Sequence, residues 1–277
     1  MKFSLKNFGL ATIAIAALST SSCKKETVNP VAPALTNEQF TSARMNYLDV
    51  QTILNEAIAT GNVSFKTEGA LLTNGCAAIT SDTMANPHTV LIDFGDACTG
   101  SDGKVRGGQI YATYNNTDLS LTGTVINAVF YDYTVDGDTI GGSIDLTNNG
   151  PGPNADMEGT IVVNSNISFE GNAGNLEGVF NYDLWFDDLS TPGRPEDDAF
   201  LFLGSGSGYT TGGRAFTQQI NVPLIRSRAV GCNFFVYGEV NVDVAGESTR
   251  TFNYGDGTCD NLATVTQDGV TQTITLH

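Results

Sequence analysis

From Val63 to the end of the chain, short runs rich in Val, Ile, Thr, Tyr and Phe alternate with turn residues, and no stretch keeps a helical period. The pattern predicts strands at Val63–Leu72, Ala77–Thr80, Thr89–Phe94, Gly108–Tyr114, Leu119–Val135 (bulged or broken near Asn127) and Thr139–Leu146. Further strands are expected at Glu158–Phe169, Leu176–Phe186, Ala199–Leu203, Arg214–Val222, Asn233–Val244, Ser248–Tyr254, Leu262–Thr266 and Val270–Leu276. Asp136-Gly137, Asn149-Gly150, Glu170-Gly171 and Asp268-Gly269 carry hairpin-turn chemistry. Connections this short favour antiparallel neighbours over parallel crossovers. So many twisted strands do not stay flat. The expected fold is mainly β: a large antiparallel meander curled into a half-barrel or roll.

One segment breaks the rule. Across Thr36–Gly61, Phe40, Ala43, Tyr47, Val50, Leu54, Ala57 and Ile58 recur at three- and four-residue steps. Thr36 and Gln39 form a capping box, and Gly61 suits the C-terminal cap. This is expected to be a single N-terminal amphipathic helix, its apolar stripe against the sheet.

The chain has five cysteines, and four of them fall into two similar units. Gly75-Cys76 leads through Asp93-Phe94-Gly95-Asp96-Ala97-Cys98 to Asp102-Gly103, and Gly231-Cys232 leads through Asn253-Tyr254-Gly255-Asp256-Gly257-Thr258-Cys259 to Asp268-Gly269. Four cysteines allow three pairings. The internal similarity selects Cys76 with Cys98 and Cys232 with Cys259, giving two disulfide-closed hairpin repeats. Each closure stabilises the fold by roughly 3 kcal/mol in the chain-entropy model. Zinc is a poor alternative, because no Cys-x-x-Cys occurs and the histidines are His88 and His277.

The first residues supply an address. Lys2 and Lys6 precede an apolar run from Phe8 to Leu18. As a helix it would span roughly 16 Å, about half the hydrocarbon core of a bilayer, which suits a removable signal rather than a membrane span. Ser19-Thr20-Ser21-Ser22-Cys23 then resembles a bacterial lipoprotein lipobox, with Thr20 where the usual Leu would stand. That resemblance implies lipidation of Cys23, residues 1–22 as the signal peptide and 23–35 as a lipidated tether. A single β-rich domain over 36–277, with its helix at 36–61, completes the organisation. The Ser-Ser-Cys-Lys-Lys-Glu form, with the Asp-Phe-Gly-Asp-x-Cys and Tyr-Gly-Asp-Gly-Thr-Cys-Asp-Asn segments, resembles lipoproteins of the Bacteroidota. It implies export to the bacterial cell envelope, at the outer membrane, with palmitate-type anchoring, and it supplies no activity and no binding residue.

Function classes narrow accordingly. A formal charge of −17 repels phosphate backbones, so nucleic acid is not an expected partner. Asp93, Asp96 and Asp102 in one unit, with Asp256 and Asp260 in the other, are candidate calcium ligands, although no EF-hand spacing is present. Asp82-Thr83-Met84 and Asp138-Thr139-Ile140 resemble the O-glycosylation sequon of the Bacteroidota, which marks Thr83 and Thr139. Gly204-Ser205-Gly206-Ser207-Gly208 has neither the central serine of a nucleophile elbow nor a dinucleotide-binding glycine spacing, and reads as a flexible turn. Tyr131, Tyr133, Tyr182, Trp185 and Phe186 are either a sugar-binding platform or core. No pair of acids stands out for glycoside hydrolysis. The expectation is a non-enzymatic envelope lipoprotein presenting a surface to a protein or glycan. A carrier of an apolar ligand in a curved sheet, and a glycan-acting hydrolase, are the alternatives.

Overall fold

The computed structural model describes residues 34–60, 75–152, 157–187, 199–227 and 232–276. Among them, one helix, α1 (Asn37–Thr60), precedes fourteen strands. These are β1 (Ala78–Asp82), β2 (His88–Asp93), β3 (Cys98–Thr99), β4 (Val105–Tyr114), β5 (Val125–Val135), β6 (Asp138–Gly150) and β7 (Met157–Phe169). The remainder are β8 (Gly174–Asp187), β9 (Ala199–Thr210), β10 (Arg214–Ser227), β11 (Phe235–Val244), β12 (Arg250–Asp256), β13 (Leu262–Gln267) and β14 (Val270–Thr275). All belong to one antiparallel sheet in chain order, with the short β3 set aside against β4; β1 and β14 do not pair, so the sheet is not closed into a barrel. The expected strand Val63–Leu72, the cap Gly61 and the lipidation site Cys23 lie outside the described residues.

Local chemistry accounts for most boundaries. The backbone N–H of Thr36 donates to Gln39 Oε1 (2.8 Å) and that of Gln39 to Thr36 Oγ1 (3.2 Å), so the capping box forms. Asp136-Gly137 and Asp268-Gly269 turn two hairpins with both residues at positive φ. Leu119–Thr124, expected as strand, is turn, and Asn149-Gly150, expected as a turn, continues β6. Leu35, placed in the tether by sequence, is buried, and its carbonyl accepts from Arg250 Nη1 (2.8 Å).

The expected one-sided helix is not what α1 shows. Every residue from Ala43 to Gln51 is buried, and that stretch covers two and a half turns, hence all sides. The reason lies in where the neighbours come from. Tyr47 meets β5, β6 and β7 through Phe130, Gly141 and Asn166; Arg44 meets β10 and β12 through Gln218 and Tyr254. Strands far apart in the sheet thus reach one helix, which the sheet can do only by bending around it. β-Bulges assist. At Gly108 (φ +74°) a Cβ would fall 2.1 Å from the carbonyl oxygen of Asp132, and the β4–β5 register shifts at this point.

The glycine–serine run is strand, not a flexible turn. Gly204, Gly206 and Gly208 lie in β9 and pair with β8, and Gly206 and Gly208 pair with β10 as well. A Cβ on Gly206 would sit 2.1 Å from the Phe180 ring. The glycines therefore leave room for Phe180 to pack against Tyr182 and Phe216 below the helix.

The Tyr47 hydroxyl donates to the Gly141 carbonyl (2.7 Å) and accepts from the Asn166 N–H (2.9 Å), joining α1 to two facing residues of β6 and β7. Tyr47→Phe removes both bonds and is expected to lower stability by about 1–3 kcal/mol. Urea unfolding checks the size, and faster amide exchange at Asn166 would locate it.

Candidate functional site

Helix α1 carries Asp49 into the interior, where three cations surround it. Lys104 Nζ lies 2.8 Å from Oδ2, Arg226 Nη2 lies 2.7 Å from Oδ1, and Arg106 Nη2 lies 3.6 Å from Oδ2. Arg106 also holds Asp102 through two parallel bonds of 2.9 and 2.6 Å, and Lys104 Nζ donates to Asn46 Oδ1 (3.2 Å). Burial alone would raise the Asp49 carboxyl, but Lys104, Arg226 and Arg106 together hold it below the usual carboxylate range. One turn earlier, Arg44 is equally buried. It donates to the Tyr254 hydroxyl and to Gln218 Oε1 (3.0 Å), and its guanidinium stands 5.8 Å from the Phe252 ring centre. Gln218 donates onward to the Tyr182 hydroxyl (3.0 Å), whose phenol burial pushes up to about 12. Most of these polar atoms are hydrogen-bonded within the fold; Asp49 Oδ1 is held by its ion pair with Arg226, and Arg44 Nε has no hydrogen-bond partner among the described residues. The network joins helix to sheet.

A cleft of about 220 Å³ opens beside the first turns of α1, lined by Glu38, Asp136, Asp138, Glu170, Thr41 and Phe169 among others. Asp138 Oδ1 accepts from the Glu170 N–H (3.0 Å), Oδ2 accepts from Ser42 Oγ (3.4 Å), and Asp136 Oδ1 accepts from the Val105 N–H (2.8 Å). Burial raises the Asp138 carboxyl, and the neighbouring charges of Asp136 and Glu170 push the same way. Two of the four carboxylates are thus engaged in shaping the β5–β6 turn. What the cleft offers is a negative field, with the Ser42 hydroxyl held against Asp138 at its wall.

The candidate calcium ligands are mostly engaged within the fold. Asp93 accepts from the Gly95 N–H and from Gln109 Nε2, Asp102 is clamped by Arg106, Asp256 accepts from Thr258, and Asp260 accepts from the Leu262 N–H. Asp96 is exposed. Each bonded carboxylate serves its own turn or its arginine, and among the described residues no three His, Cys, Asp or Glu side chains gather to hold a metal. Both cysteine pairs are bonded as the sequence implied, Cys76 to Cys98 and Cys232 to Cys259. In each unit a buried aromatic, Phe94 or Tyr254, precedes a positive-φ glycine whose N–H returns to the residue before the aromatic, Asp93 or Asn253.

The aromatic platform also comes apart, because a β-bulge at Asp132 (φ +48°) breaks the alternation of β5 and sets Tyr131 and Tyr133, two residues apart, on opposite faces. Tyr133 and Tyr182 are buried, Trp185 and Phe186 are half-buried, and Tyr131 is 54% exposed on the outer face. There Tyr131 pairs with Gln109, and Val129, also exposed, pairs with Tyr111. Thr83 lies between β1 and β2 beside exposed Met84, and Thr139 is an exposed residue of β6. Sequence reasoning missed the Asp49 and Arg44 networks, since partners 55 to 210 positions away leave no local signal. No helix among the described residues is long and apolar enough to cross a membrane. No protein-family model, curated protein or solved structure matches this chain, so its site is read from its own geometry.

Proposed function

We propose that the chain is a lipid-anchored protein of the bacterial envelope, tethered through Cys23, whose β-domain serves by presenting a surface rather than by catalysis. The observation that carries this reading is the filled interior. Helix α1 occupies the concave side of the sheet, and the cavities described against it are the cleft of about 220 Å³ at its first turns, about 70 Å³ near Gln51 and about 10 Å³ near Arg44. A drug-sized or lipid ligand needs about 300–1,000 Å³, so a surface role is favoured over a carrier. Two disulfides suit an oxidising compartment outside the cytoplasm. Their hairpins are read as repeats of one unit on the shared Gly-Cys, aromatic-Gly and Cys order. Thr83 and Thr139 are both exposed, as glycan acceptors need to be.

The test is mass spectrometry of the protein purified from its native envelope, with fractionation of a Cys23→Ser variant. The expected result is an N-terminal peptide beginning at an acylated Cys23, and transfer of Cys23→Ser from the membrane to the soluble fraction. An unmodified N-terminus, or a wild-type protein already soluble, overturns the reading. The same spectra test the glycans: an intact mass equal to that of lipidated protein alone removes Thr83 and Thr139 as acceptors.

A further inference from the structure

Strand β14 ends the sheet, and its outer edge has no partner among the described residues. Edge strands are normally protected by charge, proline, a bulge or a cover. Val270-Thr271-Gln272-Thr273-Ile274-Thr275 has no charge and no proline, pairs with β13 without a register shift, and is exposed at every residue except Ile274. Its hydrogen-bonding parity is fixed. The two-residue turn makes Gln267 and Val270 the closing bonded pair, and the Leu276 N–H donating to the Asn261 carbonyl (2.7 Å) keeps the same alternation at the far end. The N–H and C=O groups of Thr271 and Thr273 consequently point to the open edge.

We infer that this edge pairs with the same edge of a second copy, antiparallel, about a two-fold axis through Gln272. The sequence is what singles out that partner. Val270-Thr271-Gln272-Thr273-Ile274 reads nearly alike in both directions, so centring on Gln272 sets Val270 opposite the partner's Ile274 on one face. Thr271 then lies opposite the partner's Thr273 on the other face, where the two residues exchange both backbone bonds, and the symmetric pair repeats this. An isologous contact needs such self-complementarity. Charge points the same way: two copies each carrying −17 repel almost everywhere, yet in this register Asp268 meets the partner's Leu276 and no acid faces an acid. Thr275 and Leu276 do border the acidic cleft, so pairing is favoured by salt that screens it. Five residues a side fall well short of the about 20–30 of a durable interface, so association is transient and needs trapping. The inference does not depend on the envelope reading.

The experiment places Gln272→Cys in the full chain and allows oxidation at high salt. In the proposed register residue 272 faces itself as a non-bonded pair, with Cα atoms about 4.5 Å apart, within disulfide reach. A reducible dimer is expected, above the level of the parent chain, which carries the same Cys23. Thr271→Cys, offset from its own copy, is expected to stay at the parent level. Adding Thr273→Pro to Gln272→Cys removes only edge-facing bonding and is expected to abolish trapping; Thr273→Lys, which leaves the backbone intact, is expected to do the same. No dimer from Gln272→Cys, equal trapping at 271, or trapping that survives Thr273→Lys in a folded chain overturns the inference.

Discussion

Asp49→Ala is expected to destabilise the protein by about 3–5 kcal/mol, because it strips a buried carboxylate from among cations that stay buried. Lys104 and Arg226 lose their anion outright, while Arg106 keeps Asp102. Asp49→Asn keeps the shape without the charge and should fall nearly as far. Urea unfolding with the disulfides intact gives the difference. A loss under 1 kcal/mol would mean that water reaches the three cations and screens them.

The same group sets a pH signature. Its folded pKa lies below its unfolded value, so its contribution is fully present above about pH 4, the ordinary carboxylate range, and is lost as pH falls through the folded value. The gap between wild type and Asp49→Asn is therefore widest near neutrality and narrows in acid. Glu247, which burial would raise but which Arg250 and Arg214 hold low, acts with the same sign. Asp138, raised by burial, acts against it: its contribution is unfavourable above its folded value and is relieved as the carboxyl protonates. Reading Asp49 as a difference between two chains cancels both.

Much of the fold is local in origin and was therefore legible. The Thr36–Gln39 box started the helix, and Asp136-Gly137, Glu170-Gly171 and Asp268-Gly269 divided strands where their backbone chemistry required it. What the sequence hid was tertiary. Arg44, Asn46 and Asp49 look like solvated helix positions, and they are buried because a bent sheet returns Lys104, Gln218, Arg226 and Tyr254 to them. The run Gly204–Gly208 has the composition of a turn. It is strand because Phe180 needs the space where a Cβ at Gly206 would be. The partners of the acidic loops were hidden for a related reason: an aspartate beside glycine in sequence says nothing of whether an arginine, as at Asp102, already claims it.

Replacing a bonded cysteine pair with alanine is expected to cost about 3.5 kcal/mol for either link, the entropy released when loops of 22 and 27 residues open in the unfolded chain. The two losses should differ in kind. Cys76–Cys98 encloses β1 and β2 at the end of the sheet, where β1 has one strand neighbour among the described residues. Without that link, β1 can detach while the rest stays folded, so amide exchange in Thr80 to Asp82 should accelerate and the global unfolding midpoint should move less than the full amount. Cys232–Cys259 encloses β11 and β12, which hold Phe235, Phe252 and Tyr254 against the core and against Arg44. That hairpin cannot leave without exposing them. Its loss should therefore appear undiminished in the global transition, with no local exchange ahead of it. Equal local acceleration in both variants would instead make the second hairpin an independently opening unit, and the Arg44 network would then be too weak to couple it to the helix.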